Sequence, residues 1–169
     1  MIGKLWLALG AIVVVAIGAA AYFSYGAGSH GSPLETWVTG SQLGQDIGTL
    51  EGDRAHVVGA VASGTGLKVV HTICTAMESD AGEANGELPS PDASVTQLLA
   101  RAYGLSYDAA QNCATAPHLT SRFEERTVPL WDRASALFSQ VLARVHDSTG
   151  KAVPTTTTTI PDVTGTTFL

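Results

Sequence analysis

Residues 130–145, LWDRASALFSQVLARV, carry the most regular amphipathic pattern in the chain and indicate its fold class. Apolar residues recur there at intervals of three and four, which is the spacing of one face of an α-helix. The apolar positions are Leu130, Ala134, Leu137, Phe138, Val141 and Val145. The pattern predicts a helix that buries one face and stops at Gly150.

Turn signals divide the preceding sequence into three further predicted helices. Their expected bounds are Ser32-Pro33 to about Val61, about Leu67 to Ala81, and Asp92 or Ser94 to Pro117. Ser121 and Glu124 have the spacing of a capping box that opens the last helix, which Pro129 is expected to kink or restart. Because strand patterns are nearly absent, residues 33–150 are predicted to form a small antiparallel bundle of about four helices.

Four glycines lie four residues apart in the first predicted helix, at positions 40, 44, 48 and 52. On a helix they form one smooth ridge that another backbone can approach closely. Each glycine also lowers helix stability by about 1 kcal/mol relative to alanine, so we expect this helix to be bent or broken. Two interpretations stay open: a groove for helix packing, or a helix that another element simply contacts.

The N-terminal region contains an unbroken apolar run of 19 residues, Leu5 to Phe23. As a helix this run spans about 28 Å, close to the ~30 Å hydrocarbon core of a bilayer. Ala19-Ala20-Ala21 also fits a cleaved signal peptide, although such apolar regions are usually only about 7–15 residues long. We predict an uncleaved transmembrane signal-anchor over residues 1–26; a cleaved signal or a buried soluble helix are the alternatives.

The flanking sequence predicts how the chain is oriented. Lys4 is the one charged side chain in the first 26 residues, so the positive-inside rule favours a cytoplasmic N-terminus. We therefore expect a single-pass protein of the cell membrane with most of the chain extracytoplasmic. Residues 27–32 are predicted to be a flexible linker, and the Thr/Pro-rich residues 151–169 a disordered tail.

The charge balance bears on the class of partner. The chain has 9 basic and 15 acidic residues, and beyond residue 26 the balance is 8 against 15, a net charge of −7. A domain this acidic, with no basic stripe, is a poor candidate for binding nucleic acid. The expected partners are the membrane itself and an envelope protein.

The two cysteines, Cys74 and Cys113, fall on the apolar faces of the second and third predicted helices. An oxidising compartment favours a disulfide between them, closing a ring of about 40 residues worth roughly 4 kcal/mol. The alternative is a zinc site that adds His71 and His118. Because exported thiols tend to oxidise, we predict a structural disulfide and no metal ligands.

No familiar catalytic motif is present: the G-x-S-x-G, Walker and H-E-x-x-H patterns are all missing. The acidic stretch at residues 78–92 lacks the residue spacing of a calcium-binding EF-hand loop and is expected to be a solvated loop. The sequence therefore predicts neither an enzyme nor a bound cofactor, and no catalytic residues are assigned.

Several features together resemble a known type of envelope protein. The N-terminal apolar run, Cys74, the LPSPD turn at 88–92, Cys113 and the Thr-rich tail resemble uncharacterised membrane-anchored, extracytoplasmic helical proteins of actinobacterial type. The resemblance implies an envelope location and no known activity. We expect an interaction or accessory module that binds or positions another envelope component; a metal-binding envelope protein or a hydrolase without a recognisable motif are the alternatives.

Overall fold

The computed structural model describes residues 31–119 and 121–156 of a chain that divides into two units, Met1–Ser32 and Pro33–Leu169. The predicted signal-anchor at residues 1–26 lies outside the described residues, as does most of the predicted linker. Within the described ranges, none of the helices has the length and apolar character needed to cross a membrane.

The described part of the second unit contains five α-helices. They are α1 (Pro33–Gly40), α2 (Leu43–Ala62), α3 (Leu67–Gly86), α4 (Ala93–Ala114) and α5 (Ser121–Thr149). No β-strand occurs in the part of the chain that the structure describes, and the all-α prediction is confirmed.

The expected break in the first predicted helix is confirmed: the chain breaks at Ser41-Gln42, directly after Gly40, and forms two helices. Two other helices differ from the sequence-based prediction. Helix α3 continues past Ala81 to Gly86, so that much of the expected acidic loop is helical. Helix α5 runs through Pro129 without a break, so this proline does not restart the helix.

The helix ends follow local chemistry. Asp92, rather than Ser94, caps α4: its Oδ1 accepts hydrogen bonds from the backbone N–H groups of Ser94 at 2.7 Å and Val95 at 3.1 Å. These bonds, with Arg144 at 3.2 Å, hold the pKa of the Asp92 carboxyl below its usual range. Gly150 ends α5 with a positive φ of 69°, a conformation that only glycine adopts at low cost.

The helices pack in the order α2, α3, α4, α5, with one weak seam. Helix α4 contacts both α3 and α5 along most of its length, whereas α2 and α5 approach each other only over a short stretch. Tyr103 of α4 and Phe138 of α5 join their rings in the core at a centroid distance of 5.6 Å. The largest fully buried side chains are Trp131, Leu43, Leu50, Met77, Leu99, Val57, Val70, Val95, Val141 and Val145.

Residues 151–156, here called the C-terminal strap, lie against the glycine ridge of α2. A Cβ atom built on Gly44 would stand 3.1 Å from the carbonyl carbon of Pro154, and one on Gly48 would stand 2.7 Å from that of Thr156. The ridge therefore receives another element of the same chain. The strap is the first part of the tail that the sequence predicts to be disordered, yet it packs on the bundle. The rest of that tail, residues 157–169, lies outside the described residues.

Candidate functional site

A polar cluster joins α2 to α5 in the middle of their seam. Arg54 donates from Nη2 to Asp132 Oδ1 at 2.5 Å and from Nη1 to Ser135 Oγ at 3.1 Å. Ser135 in turn donates to Glu51 Oε1 at 2.5 Å. These four residues, which we call the clasp, hold the two helices together where little apolar packing does so.

An apolar groove of about 490 Å³ opens beside the clasp, between the end of α2 and the start of α5. Its lining residues are Arg54, Val57, Val58, Val61, Ala62, Phe123, Val128, Pro129 and Trp131. Val58 is 47% exposed, so this wall of the groove meets solvent. The groove thus presents hydrocarbon side chains at the surface of an otherwise acidic bundle.

Two N–H groups in the wall of this groove lack acceptors. Trp131 is only 1% exposed, and its indole Nε1–H has no hydrogen-bond partner among the described residues. The Nε–H of Arg54 is likewise buried and unpaired within that part of the chain. Buried donors are normally paired, and an unpaired one costs about 1–3 kcal/mol.

A second cavity, of about 420 Å³, lies at the junction of α4 and α5. Its lining residues are Asn112, Thr115, Ala116, Pro117, His118, Phe123, Arg126 and Thr127. Phe123 belongs to the walls of both cavities and meets Trp131 edge-on, with ring centroids 6.5 Å apart. The apolar groove and a cavity that carries polar side chains and the Arg126 guanidinium therefore share one aromatic side chain.

Thr127 in this second cavity differs from several other helical threonines. The hydroxyls of Thr72, Thr75 and Thr149 each donate to the carbonyl four residues earlier, the usual arrangement. The Thr127 hydroxyl has no partner within the described ranges, although the residue is only 1% exposed. The cavity wall therefore holds an unused hydrogen-bonding group.

The predicted disulfide is confirmed. Cys74 of α3 and Cys113 of α4 are bonded to each other, with Cα atoms 5.8 Å apart and both side chains fully buried. Near this bond, His71 donates from Nε2 to the carbonyl oxygen of Ala116 at 2.8 Å. His118 lines the second cavity instead. Neither sulfur is a free thiolate, and the described residues contain no group of three or more side chains suited to hold a metal ion.

The acidic residues collect between α2 and α3. Burial, reinforced by the charges of Glu87 and Asp80, raises the pKa of Asp46 to about 6. Asp53, only 3% exposed, has its pKa raised to about 6 by burial and then by the charge of Asp80. A carboxyl group this deeply buried favours its protonated form. Some of the acidic residues that we expected in a solvated loop at 78–92 therefore lie at the interface between α2 and α3.

Sequence reasoning did not find the clasp, the groove or Thr127. Helical spacing shows which face a residue occupies, but not which helix lies opposite. Arg54 and Asp132 are 78 residues apart, and Glu51 and Ser135 are 84 apart. The one available signal was Trp131, which falls on the apolar face of the pattern at residues 130–145.

Comparison with known proteins adds no relative to this description. The chain matches no protein-family model, and neither a curated protein nor a solved structure shows significant similarity to it.

Proposed function

We propose that the chain is a membrane-tethered, extracytoplasmic binding module without catalytic activity. In this proposal residues 1–26 anchor the protein, and the helical bundle binds or positions another component of the cell envelope. The apolar groove between α2 and α5 is the surface that holds the apolar part of this component.

The observation that carries the proposal is the composition of the groove at the weakest seam of the bundle. Aliphatic side chains line an opening of about 490 Å³, a volume within the ~300–1,000 Å³ typical of ligand sites. The adjoining clasp keeps the two helices together while the groove stays open. Exposed apolar surface costs free energy in water, and covering it with an apolar group recovers about 25 cal/mol per Å².

The tether is tested by fractionation of the full chain expressed in bacterial cells. We expect the protein to remain with the membrane pellet after a carbonate wash, because the apolar run of residues 5–23 is long enough to span the bilayer. Release of the protein into the soluble fraction would contradict the anchor.

The groove is tested by site-specific photocrosslinking in native membranes. A photoreactive amino acid replaces Val58 in the groove, and Val69 on α3 serves as the matched control. Both valines are exposed, at 47% and 38%, so neither replacement disturbs the core. We expect a reproducible adduct from position 58 at several times its level from position 69. Equal or absent adducts at the two positions would overturn the proposed function.

A further inference from the structure

We propose that the groove and the second cavity form one binding site for an amphipathic anion: a hydrocarbon chain attached to a carboxylate or phosphate group. The hydrocarbon lies in the groove between α2 and α5, and the anionic group lies against Arg126 and His118. This inference rests on the proposed function and names the chemistry of its ligand.

The first step of the argument is the shared wall. Phe123 lines both cavities: the groove side is aliphatic and aromatic apart from Arg54, and the other side adds polar side chains to Ala116 and Pro117. Val57, Val58, Val61, Ala62 and Val128 lie on the groove side. Asn112, Thr115, His118 and Arg126 lie on the other. A ligand that passes Phe123 therefore meets hydrocarbon at one end and hydrogen-bond donors at the other.

The second step is charge. Acidic residues outnumber basic ones 15 to 9 in the chain, yet no described side chain that lines the second cavity is acidic. By contrast, the cavity of about 290 Å³ between α2 and α3 is lined by Asp46, Asp80, Glu83 and Glu87. The Arg126 guanidinium attracts an anion, and the amide of Asn112 adds donors to the same wall. The head group that complements this cavity is negative.

The third step is the set of unpaired groups. Thr127 and Trp131 lie one helical turn apart on α5, and each buries a donor that finds no partner in the described part of the chain. Thr127 lines the polar cavity and Trp131 the groove. The Thr127 hydroxyl is the donor that a head-group oxygen in the polar cavity can satisfy, whereas the Trp131 N–H borders the groove that holds hydrocarbon and gains no partner from this ligand. The unpaired threonine therefore favours a head group that carries oxygen atoms at this end of the site.

The test uses the full chain in nanodiscs of phosphatidylcholine and three photoreactive probes with the same twelve-carbon chain: laurate, dodecyl phosphate and dodecanol. Adducts are mapped by mass spectrometry. We expect laurate or dodecyl phosphate to label residues 57–62 or 128–131 about fivefold more than dodecanol does, as a partly exposed charge pair adds about 1 kcal/mol. A preference between the two anions identifies the head group.

Two substitutions and their controls complete the test. Val58→Asp should abolish labelling by all three probes, whereas Val69→Asp should not. Arg126→Gln should reduce labelling by the anionic probes about fivefold and leave dodecanol unchanged, whereas Arg101→Gln, an exposed arginine on α4, should have no effect.

The outcomes separate this inference from the proposed function. If dodecanol labels the protein as strongly as the anions do, and Arg126→Gln changes neither, the proposal of an anionic ligand is overturned. The groove is then a site for apolar groups alone. Absence of all labelling, together with a protein adduct from position 58, overturns the amphiphile and identifies a peptide occupant. Absence of both labelling and adducts overturns the inference and the proposed function together.

Discussion

Gly48 and Thr156 are in backbone contact: a Cβ atom added to the glycine would clash with the carbonyl group of the threonine. Pro154 has the same relation to Gly44. Two extended residues advance about 6.6 Å and four helical residues about 6.0 Å, so alternate strap residues meet glycines spaced four apart. The four-residue spacing of the glycines in α2 therefore matches the length of two extended residues in the chain beside it.

Replacing Gly48 with alanine should displace the strap. The added methyl group would stand 2.7 Å from the carbonyl carbon of Thr156, a backbone atom that must move. We expect a net loss of about 1 kcal/mol in the free energy of unfolding, because the packing loss exceeds the gain in helix propensity. Chemical denaturation measures the change.

Gly59→Ala is the matched control for the strap prediction. It lies in the same helix, and its Cβ would meet no atom within 4 Å. This substitution should raise the free energy of unfolding by about 0.5–1 kcal/mol through helix propensity alone. If Gly48→Ala is stabilised to the same extent as Gly59→Ala, the strap contributes nothing to stability.

The sequence predicted the glycine ridge that receives the strap, but neither the packing of the strap itself nor the candidate ligand site. The glycine spacing is local, and so are the apolar stripe that places Trp131 and the cap at Asp92. The clasp forms only because α2 lies next to α5, and the sequence of neither helix predicts which helix is its neighbour. The unpaired state of Thr127 is also invisible in sequence, because a threonine in a helix ordinarily bonds its own backbone.

Removal of the disulfide should weaken the bundle without changing its helices. The bond closes a ring between residues 39 positions apart, and the chain-entropy model assigns such a ring about 4 kcal/mol. The double variant Cys74→Ala/Cys113→Ala should lose about this much free energy of unfolding and keep its far-ultraviolet circular dichroism. Wild-type protein treated with reductant should show a comparable loss.

Thiol labelling provides an independent check of the disulfide. Denatured, unreduced protein taken from its own membrane should contain no reactive cysteine. Two labelled thiols would refute the crosslink and return His71 and His118 to consideration as metal ligands.

The stability of the bundle should fall as the pH rises from about 4 to 7. Asp46 and Asp53 have pKa values raised to about 6, so the folded state binds their protons more tightly than the unfolded chain does. Their contribution is complete below about pH 4 and is lost as the pH passes 6. For the deeply buried Asp53 we expect about 3 kcal/mol, measured as the free energy of unfolding against pH.

Asp53→Asn should reduce the slope of this pH profile, because the amide does not titrate; Asp46 accounts for the slope that remains. Asp108→Asn, an exposed position on α4, is the control and should keep the full slope. A profile for Asp53→Asn that matches wild type would show that the buried carboxyl does not govern the dependence.

The disulfide joins α3 and α4 covalently, whereas the other helices of the bundle have no such bond. These two helices and their connecting turn form a closed ring, whereas α2 and α5 are held to the ring by non-covalent packing and joined to each other by the clasp. Separation of α2 from α5 would break few contacts, whereas α5 packs on α4 along most of its length. The crosslink fixes α3 to α4 and leaves the groove at the seam between α2 and α5, which no covalent bond closes.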